Sequence, residues 1–245
     1  WLANGTGSSN TNGDINSTVS VNTTAGFSIV SYTGTGSNAT IGHGLGVAPA
    51  FMMIKNRDAA QGWCIYHHKN TSAPQTDFLS INSTDSTVDA SDRWNDTAPT
   101  SNVFSVANHA DTNGSSATYI GYFFNEVKGY SKFGSYTGNG NADGAFVYTG
   151  FKPAWLLIKP IATASWRIWD NKREDYNGNV NQTTLNANEN GVEYDDSSVA
   201  IDFLSNGFKG RSSNSDISGS GTSYIYMAFA ESPFVSSGGI PTTAR

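Results

Sequence analysis

Phe27-Ser28-Ile29-Val30-Ser31-Tyr32-Thr33-Gly34-Thr35-Gly36 mixes β-branched and aromatic residues with hydroxyl residues, then stops on two glycines. Such a run reads as a half-buried strand entering a turn. Its end is repeated: Ser31-Tyr32-Thr33-Gly34-Thr35-Gly36 recurs as Ser135-Tyr136-Thr137-Gly138-Asn139-Gly140, 104 residues further on. At the same offset Pro49-Ala50-Phe51-Met52-Met53-Ile54-Lys55 recurs as Pro153-Ala154-Trp155-Leu156-Leu157-Ile158-Lys159, and residues 31–55 keep ten identities in 25 positions. Trp63-Cys64-Ile65-Tyr66 matches Trp166-Arg167-Ile168-Trp169, and Ser101-Asn102-Val103-Phe104 matches Ser205-Asn206-Gly207-Phe208. Tyr119 to Glu126 matches Tyr224 to Glu231. An offset that stays within 103–105 predicts a tandem duplication rather than shared composition.

Working outward, each half reads as a string of short strands. In the first they are Phe27 to Thr33, Ala50 to Lys55, Gly62 to His67, Asp77 to Asn82, Val103 to Ala107 and Thr118 to Asn125. In the second they are Gly144 to Thr149, Ala154 to Pro160, Trp166 to Asp170, Val199 to Phe203, Gly207 to Lys209 and Thr222 to Ala230. Ala50 to Lys55 is unbroken apolar sequence, as a strand covered on both faces requires. The segments between are rich in Gly, Asn, Ser, Asp and Thr, which accept turn geometry or bond back to the backbone. Sustained helical periodicity is absent. The expected fold is all-β: a tandemly duplicated antiparallel β-sandwich of two similar ~104-residue halves related by a pseudo-twofold.

The expected boundaries are a linker from an upstream domain over 1–24, repeat one over 25–128, repeat two over 129–235 and a loose tail over 236–245. The opening Trp1-Leu2-Ala3, without Met, reads as a fragment or processed chain. The join from Glu126 to Phe133 has no Pro/Ser spacer and keeps its aromatics, which favours copies packed together.

Composition narrows the function. Fourteen Lys+Arg against twenty Asp+Glu leave a net charge of −6, so no dense basic face exists to displace counterions from phosphates, and no nucleic-acid partner is expected. Charged residues are only 14%, while 31 Ser, 24 Thr, 25 Asn and 26 Gly make up 106 of the 245 residues. Aromatics at 12% give the chain enough area to bury and exclude a disordered low-complexity polymer. Together these point to an extracellular protein with many turns. No run of 18 apolar residues occurs, so no membrane insertion is expected. Cys64 is the single cysteine, which rules out an intrachain disulfide and a Cys-based zinc site. Its apolar neighbours favour a packing residue over a catalytic thiolate, for which only the neighbouring His67-His68 speaks.

Few residues of the chain fall in a pattern that marks chemistry. His43 lies in Gly42-His43-Gly44-Leu45-Gly46, which is neither a dinucleotide nor a phosphate fingerprint, and at constant offset its counterpart is Val147, which favours a structural role. His67 and His68 are neighbours on a strand and point to opposite faces, so they do not chelate one ion without a bulge. His109 sits near Asp111, where a surface hydrogen bond is expected. The carboxylates Asp85, Asp89, Asp92, Glu174, Asp175, Asp195 and Asp196 fall in loops, with no spacing that marks a glycosidase pair or a calcium loop. No Gly-x-Ser-x-Gly elbow is present, and neither metal nor cofactor is expected. Aromatics in polar loops are the better lead. Trp94, in Ser91-Asp92-Arg93-Trp94-Asn95-Asp96, and Tyr176, in Asp175-Tyr176-Asn177-Gly178, each offer a ring to a sugar or a partner. With His67 and His68 they are the candidate ligand-binding residues. The plainer alternative for Trp94 is a plug at the end of its own sandwich.

Three segments carry a resemblance: Ala25-Gly26-Phe27-Ser28-Ile29-Val30-Ser31-Tyr32-Thr33-Gly34, Ile41-Gly42-His43-Gly44-Leu45-Gly46-Val47-Ala48-Pro49, and Gly129-Tyr130-Ser131-Lys132-Phe133-Gly134-Ser135-Tyr136-Thr137-Gly138. Tyr148 to Trp155 and Ala228 to Phe234 extend it. The chain resembles an uncharacterised C-terminal domain family of tail-fibre and other structural proteins of marine bacteriophages. The resemblance implies a virion-surface, extracellular location, a homo-oligomer with the trimer as the common fibre arrangement, and other virion tail proteins as neighbours. It brings no catalytic residues. The expected function is a non-enzymatic structural or receptor-binding module of a tail fibre or similar appendage, contacting host-surface glycan or outer-membrane protein through loops. The alternatives are a glycan-cleaving depolymerase or esterase, and a purely architectural decoration or filament subunit.

Overall fold

A strand with one apolar row has to bury that row against a second layer, and the chain does so in two units. Residues Trp1–Ile81 with Thr87–Glu126 form the first, and Asn82–Ser86 with Val127–Arg245 the second. The computed structural model describes residues 3, 5–173 and 181–231. Tyr176, Glu174, Asp175 and the tail over 236–245 lie outside the described residues. The border falls within two residues of the expected one, except that Asn82–Ser86 joins the second unit, where the Ala164 N–H meets the Thr84 carbonyl at 2.9 Å.

The first unit comprises β1 (Ser8–Asn10), β2 (Ser17–Asn22), β3 (Phe27–Thr33), β4 (Ala39–Gly42), β5 (Phe51–Asn56), β6 (Trp63–His67), β7 (Asp77–Ser80), β8 (Val88–Asp89), the single-turn helix α1 (Ser91–Trp94), β9 (Val103–Val106) and β10 (Thr118–Phe124). Its main sheet has the order β1-β2-β3-β10-β5-β6-β7-β8, all antiparallel, and β4 pairs with β9 in a second layer. Val30, Tyr32, Ile54, Cys64 and Phe123 of the main sheet meet Ile41, Phe104 and Val106 of the second layer in one core. Phe51 and Met52, neighbours on β5 that point to opposite faces, are both buried, as the unbroken apolar run predicts.

The second unit comprises β11 (Ser131–Thr137), β12 (Phe146–Tyr148), β13 (Pro153–Pro160), β14 (Arg167–Asp170), β15 (Thr183–Asn186), β16 (Tyr194–Asp195), a 3₁₀ turn (Ser197–Val199), β17 (Ile201–Leu204), β18 (Gly207–Gly210) and β19 (Ser223–Ala230). The main sheet runs β11-β19-β13-β14-β15-β16 and the small one β12-β18-β17. Leu156, Ile158, Trp169 and Tyr224 meet Val147, Ile201 and Phe208 in its core. Both units are therefore antiparallel all-β sandwiches, built from strands at the positions the sequence predicts together with further short ones.

The reading of residues 1–24 as a linker is corrected. Six residues of β2 pair with β3 from Ser17 against Tyr32 to Asn22 against Phe27, and β1 pairs with β2. Ile15 and Val19 enter the core. The segment looks loose in sequence because Ser, Thr and Asn occupy its outward positions, leaving few apolar residues to read.

Matching positions in the two units carry matching contacts. The Tyr32 ring stacks on Tyr119 at 5.1 Å and its hydroxyl donates to Thr112 O at 2.5 Å. The Tyr136 ring stacks on Tyr224 at 4.8 Å and its hydroxyl donates to Ile217 O at 2.8 Å. Burial holds both phenols well above their ordinary pKa, so they act as neutral donors. Ile54 and Ile158 are both fully buried.

Candidate functional site

The site with exposed recognition chemistry is the outer face of the small sheet in the second unit. β12 pairs with β18 through Phe146–Lys209, Val147–Phe208 and Tyr148–Gly207, and β18 pairs with β17 on its other side. Alternation turns Val147 into the core, 6% exposed, and leaves Phe146 49% and Tyr148 63% exposed on the opposite face. Opposite Tyr148 stands Gly207, over which the Phe146 ring leans, so that a Cβ there would come within 3.0 Å of Phe146 Cε2. On the Phe146 side, Lys209 Nζ lies 2.6 Å from Asp143 Oδ1, Arg211 Nη1 donates to the same oxygen at 3.2 Å, and Arg211 Nε donates to Asp202 at 2.5 Å. The Lys209 ammonium bonds to Asp143 and holds that carboxyl below its ordinary pKa. Two rings beside a charge-balanced lattice of planar acceptors and donors suit a partner with an apolar face and a polar rim.

The corresponding edge of the first unit is closed. Ile41 faces Phe104 there as Val147 faces Phe208, so Thr40 and Gly42 stand in the rows of Phe146 and Tyr148. Asp14 Oδ2 accepts from Thr40 N at 2.9 Å and from Thr40 Oγ1 at 2.8 Å, while the N–H groups of Asp14 and Ile15 donate to Thr40 O at 2.8 and 3.0 Å. Those hydrogen bonds lower the Asp14 pKa. Ser17 Oγ donates to Gly42 O at 2.9 Å, and a Cβ on Gly42 would overlap the Asn10 carboxamide.

This register also corrects the counterpart of His43. His43 N donates to Asn102 O at 3.3 Å, and Thr149 N donates to Asn206 O at 3.0 Å, so His43 matches Thr149, not Val147. The roles agree. Leu45 N donates to His43 Nδ1 at 3.2 Å, Phe151 N donates to Thr149 Oγ1 at 3.4 Å, and the glycine between, Gly44 or Gly150, has φ of +75° or +86°. His43 is fully buried, and burial lowers its pKa. The imidazole is scaffolding, as expected, although the constant offset named the wrong residue as its partner.

The other sequence candidates lie mostly inside. Trp94 is 1% exposed, its Nε1 donates to Asp77 O at 3.0 Å, and its ring meets Tyr66 edge-on, so it is the plug and offers no face to a ligand. A single helical turn swings it inward, against the polarity of its neighbours. His67 is 2% exposed, packs edge-on against Phe51, and accepts Lys69 N at Nδ1, 3.1 Å. His68 is half-buried beside it, the ring centroids 5.5 Å apart. Cys64 is buried, and desolvation raises its thiol pKa far from thiolate chemistry. Among the described residues no three His, Cys, Asp or Glu side chains converge to hold a metal ion.

The charged groups near the cores serve the loops. Nε and Nη2 of Arg93 both reach Asp111 Oδ2 at 3.1 Å, and His109 Nδ1 accepts the Asp111 N–H at 3.0 Å. In the second unit Nε and Nη2 of Arg167 reach Asp216 Oδ2 at 2.9 and 2.7 Å. Lys159 is fully buried, its ammonium donating to Pro160 O and Ala162 O at 2.8 Å each, and desolvation lowers its pKa to about 8. Lys55 ties the Gln61 carbonyl in the same way, at 2.5 Å. Asp92 accepts from Arg93 at 2.6 Å, and Asp196 caps the 3₁₀ turn Ser197–Val199 through the Ser198 N–H at 2.9 Å.

Sequence reasoning passed over Phe146 and Tyr148. The signal available was the alternation Phe146-Val147-Tyr148, read as a strand without deciding which side of it faces water. The chain belongs to the family described as Domain of unknown function (DUF7483), which matches residues 1–233. No curated protein and no solved structure matches the chain.

Proposed function

We propose that this member of the family is a non-catalytic recognition and assembly module on the outside of a virus particle, in a tail fibre or similar appendage. Its two units then descend from one tandemly copied β-sandwich, and it works as a homo-oligomer beside other virion tail proteins. Host-surface glycan or outer-membrane protein is its target.

The observation that carries this reading is a division of labour. The buried groups that chemistry would draw on, His43, Lys159, Arg93 with Asp111 and Arg167 with Asp216, hold turns and loops, while Phe146 and Tyr148 stand exposed. Exposed rings beside charges already paired with one another suit recognition in salt water, where charge-based contacts are screened within several Å. The order main strand, neighbour, small-sheet strand is the same in both units, which supports common descent. The resemblance to phage structural proteins supplies the location.

Incubating the full chain with intact host cells and with their surface polysaccharide tests this. Binding without release of sugar ends is expected, weakened at least tenfold in the Phe146→Ala/Tyr148→Ala double variant with an unchanged melt. Sugar release that disappears in Asp92→Asn or Asp196→Asn would replace this reading with the depolymerase.

A further inference from the structure

We propose that Asn12 and Asn190 are sites of spontaneous covalent modification, where the carboxamide is lost as ammonia and an aspartate or isoaspartate remains. The other asparagine–glycine pairs of the described residues react far more slowly. This chemistry is independent of what the protein recognises.

Seven asparagines of the chain are followed by glycine, at positions 4, 12, 113, 139, 177, 190 and 206. Asn4 and Asn177 lie outside the described residues. The dipeptide is labile because glycine has no Cβ to shield its nitrogen or to hinder the backbone rotation that the reaction needs. The glycine nitrogen attacks the asparagine Cγ, the bond from Cγ to the amide nitrogen breaks, and the proton of the glycine N–H leaves with that nitrogen as ammonia. Water then opens the cyclic imide at either carbonyl. One opening restores the backbone with an aspartate. The other routes the backbone through the side chain and lengthens it by a methylene. Neither step needs an oxidant, a metal or an enzyme.

Both reacting groups have to be free, since a glycine N–H held in a hydrogen bond does not attack and a tied carboxamide does not swing onto it. Three of the five described pairs fail this condition. At the buried Asn113, Oδ1 accepts from Thr35 N at 2.8 Å, Nδ2 donates to Ser37 O at 2.6 Å, and Gly114 N donates to Tyr119 Oη at 2.7 Å. Asn139 is exposed, yet its Nδ2 donates to Asp143 O at 3.0 Å and its Oδ1 accepts from Asn141 N at 3.0 Å. Gly140 N donates to Ser218 O at 2.7 Å. The peptide group between Asn206 and Gly207 is pinned from both sides. Its carbonyl accepts from Thr149 N and Gly150 N at 3.0 and 3.2 Å, and Gly207 pairs with Leu204 on β17.

Asn12 and Asn190 are under neither restraint. Both are exposed together with their glycines, and neither their carboxamides nor the Gly13 and Gly191 N–H groups have a partner among the described residues. At Asn12 the backbone explains this. Asp14 N donates to Thr40 O, so Gly13 stands opposite Ile41 with its own N–H turned away from β4.

Modification at Asn12 also acts on the fold. Gly13, with φ of +91°, lies so close to β4 that a Cβ would fall 2.6 Å from Thr40 O. A methylene inserted just before it displaces the bend, and Asp14 loses its hold on Thr40.

Ageing the folded full chain at mildly alkaline pH beside the same chain unfolded in urea, then mapping both by peptide mass spectrometry, tests the assignment. The unfolded chain converts at every one of the pairs. In the folded chain Asn12 and Asn190 should convert within about threefold of that rate, and Asn113, Asn139 and Asn206 about tenfold more slowly or less, because they react only when their loops open. Hydrogen exchange of the Thr40 N–H should quicken in the aged protein and stay slow in freshly prepared Asn12→Asp, which carries the charge without the extra methylene. An intact Asn12 or Asn190 in the folded chain, or Asn113 converting as fast as either, overturns the assignment. Unchanged Thr40 exchange in chains that carry isoaspartate overturns the link to the bend.

Discussion

The two units arrange six strands of their main sheets in the same order, β3-β10-β5-β6-β7-β8 and β11-β19-β13-β14-β15-β16, yet they supply equivalent contacts from different residues. Asp111 receives its guanidinium from Arg93, the residue before Trp94 on α1. Asp216 receives its own from Arg167 on β14, at the position where the first unit has Cys64, since Ile54 faces Cys64 as Ile158 faces Arg167. In both, two N–H groups converge on one carboxylate oxygen. What the two units share is a loop carboxylate paired with a guanidinium. Which strand or helix supplies the guanidinium differs, because one on a long stem reaches the same point from either side. The same holds for closure of the small sheet: residues 10–17 cover it in the first unit, and exposed rings stand there in the second.

The largest test of this comparison is the plug. Trp94 and Val199 are both fully buried at the end of a short turn before the small-sheet strand that comes next. Trp94→Ala should cost about 4 kcal/mol, by loss of a large buried ring and its hydrogen bond, and Val199→Ala clearly less. Urea unfolding followed by circular dichroism measures both, and equal costs would mean that the two ends are not built alike. Next come the ion pairs. Asp111→Ala leaves the buried Arg93 with only the half-exposed Asp92 as counter-charge and should cost about 3 kcal/mol. Asp216→Ala should cost on the order of 2 kcal/mol, its pair being slightly more open to water. A negligible loss in Asp111→Ala would remove the claim that the carboxylate organises its loop.

The smallest effect is the response to acid. Burial lowers the His43 pKa below 6.5, so below that pH the unfolded chain binds more protons than the folded one. Its contribution is intact above about pH 6.5 and is lost as pH falls through the folded value. Thr149, in the matching place, does not titrate. His43→Thr should flatten the acid sensitivity of hydrogen exchange in β3 and β10 between pH 7 and pH 5, with no change in β11 and β19. An unaltered pH response in β3 would show that His43 is not the group responsible.

Much of the fold was legible where apolar residues dominate a short run. Phe27–Thr33 is read to the residue, and β5, β6 and β10 within one or two. β2 was not, because Val19 and Val21 are its few apolar residues among Ser, Thr and Asn, and a strand added to an existing edge needs no more. The sites were less legible. Polarity of neighbours left Trp94 open between an exposed ring and a plug, because a single turn of helix decides the direction of a side chain, and α1 turns this one into the core. A constant offset put His43 against Val147, whereas the backbone hydrogen bonding puts Thr149 in the place that His43 holds in the first unit.

Local alternation of side chains, a matter of covalent geometry and solubility, by itself settled that the chain is all-β and where most strands lie. It carries no sign, however: Phe146-Val147-Tyr148 has two unlike faces, and nothing within those three residues says which meets water. The tertiary structure decided that by setting Phe208 opposite Val147, since a face is buried or exposed only through what packs against it.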